Sequence, residues 1–178
     1  MDEKIVNFLY ALANSSPAWS LLIIFLAVVL IWLMLFWYII LIFRKNQRTI
    51  FDLAISLVGA GSFYVFLLVV NFLWFRPRPF VSLGFTPLIN MSPLSSSFPS
   101  GHAGLAFLLA YLVAKYQPTS KWLAYSLAGL VALARLGVGV HYFTDVVVSA
   151  FLGILFGYLV WIIKEKLLNW RFKKIAKL

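Results

Sequence analysis

Cysteine is absent from the 178 residues, which excludes a disulfide framework and any thiolate metal site. Acidic side chains are scarce: five Asp and Glu stand against fifteen Lys and Arg, with two His. Charged residues make up 11% of the chain, whereas a soluble domain carries about a quarter. Any chemistry must therefore be built from His, Arg, Ser and the few Asp. What the chain does have is apolar length, with 63% hydrophobic residues and a mean hydropathy of +0.98. These values identify an integral membrane protein, of a length for one helical bundle. The net charge of +10 would suit nucleic acid, but the basic residues lie at the ends of apolar runs. That is the positive-inside pattern, so the expected partner is the bilayer and not nucleic acid.

Taken in order, Met1–Asn14 places Ile5, Val6, Phe8, Leu9 and Leu12 at helical spacing behind Asp2 and Glu3. It is too short to span and predicts an interfacial amphipathic helix. Its acidic start and lack of a small-residue cleavage site do not fit a secretory signal. Five spans are expected to follow, at about Leu21–Phe43, Ile50–Phe75, Gly101–Lys115, Trp122–Val138 and Phe143–Ile163. Residues 44–48 form a basic loop, and Phe80–Pro99 is a long Ser/Pro-rich loop of the kind that is functional or mobile. Ser149, Gly153 and Gly157 make a small-residue stripe suited to close helix packing, as do Ala106, Ala110 and Ala114. The tail, Lys164–Leu178, is basic and amphipathic and is expected on a membrane surface. The fold class is thus all-α: five transmembrane helices plus an N-terminal interfacial helix, in one domain over residues 1–178. Within it, residues 1–14 are the interfacial helix, 19–165 the core and 166–178 the basic tail.

Following the spans alternately puts eleven of the fifteen basic residues on one side and Lys4, Arg76, Arg78 and Arg135 on the other. The first side is then cytoplasmic. Four polar groups far apart in sequence converge on the outer face: Arg76-Pro77-Arg78-Pro79, Ser100-Gly101-His102, Arg135, and His141 with Asp145. Phe98-Pro99-Ser100-Gly101-His102 feeds a helix start, where unpaired N–H groups and the helix dipole form a seat for an oxyanion. Gly101 allows close approach to the backbone. Arg135 lies in an apolar helix, where a charge is costly unless paired or hydrated; snorkelling to the headgroups is its bland alternative. His141 and Asp145 are four apart, so Asp145 can accept the imidazole N–H and leave the other nitrogen as nucleophile or base. An Asp that merely caps the helix is the alternative there. Arginines, amides and two histidines suit holding and transferring a tetrahedral anion.

The chain resembles the type 2 phosphatidic acid phosphatase (PAP2) superfamily, whose signature is Lys-x6-Arg-Pro, Pro-Ser-Gly-His and Ser-Arg-x5-His-x3-Asp. Arg78-Pro79, Pro99-Ser100-Gly101-His102, and Arg135, His141 and Asp145 match it with spacing kept. The resemblance implies His141 as a nucleophile that becomes phosphohistidine, Asp145 as its orienting group and His102 as the acid for the leaving group. It implies Arg78, Arg135, Ser100 and Gly101 as phosphate-binding. Asn71 replaces the pattern's lysine and Ala134 its serine; Arg76 is a candidate substitute cation. The implied activity is a metal-independent lipid phosphatase with no cofactor, in the cytoplasmic membrane and facing outward. Undecaprenyl diphosphate is the first substrate expected, with phosphatidylglycerophosphate, phosphatidate or lipid A as alternatives. A lipid phosphotransferase and a non-catalytic lipid-binding protein remain open.

Overall fold

The computed structural model describes residues 1–45 and 49–175, so the centre of the basic loop and the last three residues of the tail lie outside the described residues. The described chain is helical: α1 (Asp2–Ala13), α2 (Pro17–Val28), α3 (Leu30–Lys45), α4 (Thr49–Leu73), α5 (Pro79–Leu83), α6 (Gly101–Tyr116), α7 (Lys121–Gly137) and α8 (Phe143–Ile175). A single 3₁₀ turn, Pro118–Ser120, joins α6 to α7.

The α6 helix is the axis of the bundle. Nine of its sixteen residues are buried, from Ala103 to Tyr116, and it packs on α3, α4, α7 and α8. Its tightest neighbour is α8, through the small-residue stripe expected there. A Cβ on Gly153 would fall on the carbonyl of Gly104, and one on Gly157 would crowd Tyr111 and the Leu108 carbonyl. The two backbones touch because neither helix carries a side chain at the crossing. Ala106 and Ala110 are fully buried, and Ala124, Ala128 and Val131 of α7 belong to the same apolar cluster.

Three expectations change. The first span is not continuous: α2 and α3 meet at Val29 with a 41° bend. No Pro or Gly marks the break; α2 lies on α7 while α3 lies on α6, and the bend lets one segment follow two partners. The tail is not a separate surface helix, since α8 runs unbroken from Phe143 to Ile175. Lys164, expected on the basic surface, is buried and pairs with Asp52 at 3.2 Å. Its Nζ also donates to the Tyr116 hydroxyl at 2.6 Å, which itself donates to Asp52. This cluster ties α4, α6 and α8 at the end opposite Arg78, His102 and His141, and Tyr38 joins it to α3 through Ser56.

Among the described residues two helices are long and apolar enough to cross a membrane, Ile50–Leu73 and Phe143–Asn169, or three if the bent α2–α3 pair counts as one span. The α6 and α7 helices, 16 and 17 residues long, are too short to meet that criterion of length.

The Gly104–Gly153 contact yields a test. Gly153→Val should cost about 1–3 kcal/mol by overpacking against backbone that cannot yield, read as a fall in melting temperature in detergent. Gly61→Ala, whose Cβ meets open space, should leave the melting temperature unchanged or slightly raised.

Candidate active site

Two connections and two helix starts build the end of the bundle that carries the motifs. The chain leaves α4, passes Arg76 and Arg78, makes the short helix α5, and returns through Ser92–Ser97 to the start of α6. Gly84 ends α5 in the left-handed conformation. The α7–α8 turn needs Gly139 at φ 80, where a side chain would also strike Phe85 and Tyr10. That turn delivers Val140, His141 and Tyr142 beneath the return strand of the long loop.

Ser100 is the N-cap of α6, yet its hydroxyl caps nothing and is buried without a partner. Its own N–H donates to Ser149 Oγ at 2.7 Å, and that hydroxyl donates to the Asp145 carbonyl at 2.6 Å. The first-turn amides of α6 are left without intrahelical acceptors. His102, half-buried beside them, lines an apolar cavity of about 200 Å³ with Ile31, Phe63, Leu67, Gly101 and Leu105.

His141 is buried and its Nδ1 lies 2.6 Å from the Ser97 carbonyl. A carbonyl can only accept, so Nδ1 carries the proton and Nε2 keeps its lone pair. Direct bonding to Asp145, the arrangement that helical spacing suggested, is not formed, because the nearest carboxylate oxygen is 3.9 Å away. That carboxylate is already engaged. Its Oδ2 accepts from Ser97 Oγ at 2.9 Å and from the Tyr142 N–H at 2.8 Å, while Oδ1 faces Arg76 at 2.5 Å.

The three arginines divide into two kinds. Arg76 is held by carboxylates on both sides, with Asp2 at 3.0 Å, and lies over the Tyr142 ring at 3.9 Å. Arg78 has no ion pair among the described residues; it is fixed by Ser95 Oγ at 2.8 Å and the Val140 carbonyl at 2.9 Å. Burial pushes it down to about 10, with Asp145 opposing, so it stays charged at neutral pH. Arg135 is 1% exposed and makes no hydrogen bond or ion pair among the described residues; its Nε is buried and unsatisfied. Burial, then the charges of Arg135 and Arg78, hold His141 well below the ordinary histidine range, so it is neutral at pH 7.

His141, His102, Arg78, Arg135, Ser100 and Gly101 thus come to one end of the bundle around an excess of positive charge. Asp145 sits behind them, and Arg76 behind Asp145. Asn71, near the end of α4, has a buried Oδ1 with no partner and no hydrogen bond to this group. Ala134 packs into an apolar cluster with Ala27, Phe80, Val138 and Val140, surroundings that suit a methyl better than a hydroxyl. Sequence reading passed over Ser97 and Asp2. Ser97 was one serine in a loop run, and no local spacing links Asp2 to Arg76 or Thr144.

A lone buried guanidinium is costly without an anion. Arg135→Met should therefore stabilise the ligand-free protein by about 1–4 kcal/mol and abolish the rise in melting temperature that vanadate gives the parent. A loss of stability in the ligand-free variant would show that Arg135 is satisfied without an anion.

Comparison with known proteins gives the same picture. The PAP2 superfamily matches residues 49–168. Phosphatidylglycerophosphatase B of Bacillus subtilis is 37% identical over 109 residues, 55% of this chain and 51% of that protein. An undecaprenyl-diphosphatase of Sulfolobus acidocaldarius is 32% identical over 116 residues, 65% of this chain and 55% of that protein. The bacitracin transport permease protein BcrC of Bacillus licheniformis is 35% identical over 78 residues, 44% of this chain and 38% of that protein. The chain thus spans about half, or less, of the length of these curated relatives. Among solved structures, the transmembrane PAP2 type phosphatidylglycerolphosphate phosphatase of Bacillus subtilis superposes with a TM-score of 0.70 at 27% identity, covering 93% of this chain and 85% of that one. Aquifex aeolicus LpxE shares the fold, with a TM-score of 0.66 at 24% identity over 85% and 92% of the two chains. With its family match running through both histidines and all three arginines, the chain belongs to the PAP2 superfamily.

Proposed function

We propose that the protein is a metal-independent phosphatase that removes the terminal phosphate of a membrane lipid through a phosphohistidine on His141. The observation that carries this reading is the pair of buried arginines, Arg78 and Arg135, without a carboxylate partner beside a neutral histidine whose Nε2 is free.

A phosphate seated against Arg78, Arg135, Ser100 Oγ and the amides of Gly101 and His102 would have its equatorial oxygens neutralised. The Nε2 lone pair attacks phosphorus, the P–O bond to the lipid breaks, and the leaving oxygen takes a proton from His102. Water then attacks the phosphohistidine, gives its proton to His102, and the N–P bond breaks to release inorganic phosphate. Arginines and amides do here what a metal ion would otherwise do.

The apolar cavity that meets His102 between α3, α4 and α6 suits the first part of a hydrocarbon tail. The substrate is best read as a lipid with a single phosphate in the pocket, such as phosphatidylglycerophosphate or phosphatidate. A polyprenyl diphosphate, the first substrate expected from the sequence, needs a further cation for its inner phosphate, and Arg76, the extra arginine beside the motif, is held by two carboxylates. The similarity to an undecaprenyl-diphosphatase keeps the diphosphate as the second reading. Asn71 offers only a neutral amide where the family pattern has a lysine. We place the site on the outer face of the cytoplasmic membrane, from the distribution of basic residues, and take five helices as spanning.

Purified protein in detergent should release phosphate from at least one of phosphatidylglycerophosphate, phosphatidate and undecaprenyl diphosphate, with EDTA present. His141→Ala should reduce turnover on the order of a thousandfold or more. Restoration of activity by one divalent ion after chelation would overturn the metal-free mechanism, and a preference for the diphosphate would select the second reading. The chain has no native thiol, so Leu94→Cys, at a highly exposed loop position, gives one labelling site. It should react with an impermeant reagent on intact cells; labelling only after lysis would reverse the orientation.

A further inference from the structure

The first two turns of the bundle's outer network run from α1 to the nucleophile without a break. Asp2, at the start of α1, accepts from Arg76 at 3.0 Å and from the Thr144 hydroxyl, and its other oxygen faces the Thr144 N–H at 3.3 Å. Thr144 belongs to the first turn of α8, whose N–H groups lack intrahelical acceptors. A carboxylate from one helix therefore caps the start of another and also fixes one side of Arg76. The other side of Arg76 donates to Asp145.

Arg76 holds the next residue in the chain of contacts by its backbone as well. Its carbonyl accepts the Ser97 N–H at 2.8 Å, and its N–H donates to Ser96 Oγ at 3.1 Å. Ser97 is thereby pinned at three points: N–H on Arg76, hydroxyl on Asp145, and carbonyl on His141 Nδ1. The last of these sets the imidazole tautomer. Every link except the final one lies outside the phosphate pocket, and the chain of contacts begins in a helix that the family match at residues 49–168 does not include.

We propose that Asp2 is a positioning residue for the nucleophile: it clamps Arg76 against Asp145 and Ser97 so that His141 presents an unprotonated Nε2 to phosphorus. The inference rests on the phosphatase reading for its kinetic consequence but not for its geometry. Asp2 touches no reacting atom. A rival role for its charge is to keep Arg76 from turning towards phosphate. A purely structural Asp2 would affect only stability. An Asp2 that merely withholds Arg76 from substrate would weaken binding, so its removal would lower KM. A positioning Asp2 supports kcat. The three roles separate in one set of measurements.

The test compares the full chain with Asp2→Asn and Asp2→Glu, on whichever lipid phosphate the parent hydrolyses, with kcat, KM and melting temperature read in parallel. The proposal expects Asp2→Asn to lose about tenfold in kcat with KM within twofold of the parent, and Asp2→Glu to recover most of the loss. An unchanged kcat, or a fall in KM with kcat kept, overturns it. A second readout does not depend on turnover. The chain has two histidines, so ring nitrogen-15 spectra contain two sets of signals, and His102→Gln assigns them. The parent should show His141 as the Nδ1–H tautomer, and Asp2→Asn should shift it towards a mixture with Nε2–H. A His141 signal identical in both proteins overturns the proposal, including for a protein that hydrolyses no lipid phosphate and so fails the functional reading alone.

Discussion

The motif-bearing end of the bundle depends on how one carboxylate is shared. Asp145 is fully buried, and each of its oxygens is taken: Arg76 on one, Ser97 Oγ and the Tyr142 N–H on the other. A buried carboxylate with this many donors is held in one place. Because it is committed to these groups, it forms no ion pair with Arg78 or Arg135. Those two guanidiniums are left without a carboxylate partner among the described residues, and a pocket that prefers an anion is the result. Had Asp145 turned to either arginine, the same residues would have formed an ordinary buried ion pair.

The second constraint is mechanical. The backbone contact between Gly104 and Gly153 sets the distance between α6 and α8. One turn towards the start of α8, Ser149 joins the Ser100 N–H to the Asp145 carbonyl. The amide seat at the start of α6 and the carboxylate at the start of α8 are thus registered against each other by one hydroxyl. Helix packing and site geometry are the same contact seen at two heights. This explains why a small-residue stripe and a catalytic-type motif occur on the same helix.

Much of this was legible in the sequence, and what was not legible shares a cause. Apolar runs and their basic flanks located α4, α6, α7 and the start of α8 to within a few residues, because burial in lipid and helix period act locally. The motif residues come to one end of the bundle, because each lies at or beside the end of a span. The bend at Val29 left no mark, since it reflects α2 and α3 lying on different neighbours. Lys164 reads as a surface lysine until Asp52 and Tyr116 are known to be beside it. His141 lies in the turn before α8 and not on its face with Asp145, and Ser97 intervenes from 44 residues away. Each of these is a partner choice made in three dimensions.

The unshielded charge of Arg78 and Arg135 has a consequence for the end of the catalytic cycle. On the proposed function, inorganic phosphate keeps the oxygens these arginines would bind, so electrostatics distinguish product from substrate poorly. What the product has lost is the hydrocarbon tail and whatever it buried between α3, α4 and α6. Discrimination between arriving lipid and departing phosphate would then come from the membrane phase: the tail concentrates substrate at the pocket, and the freed anion partitions into water. The enzyme would need no moving part to expel its product, only an aqueous opening on the side away from the tail.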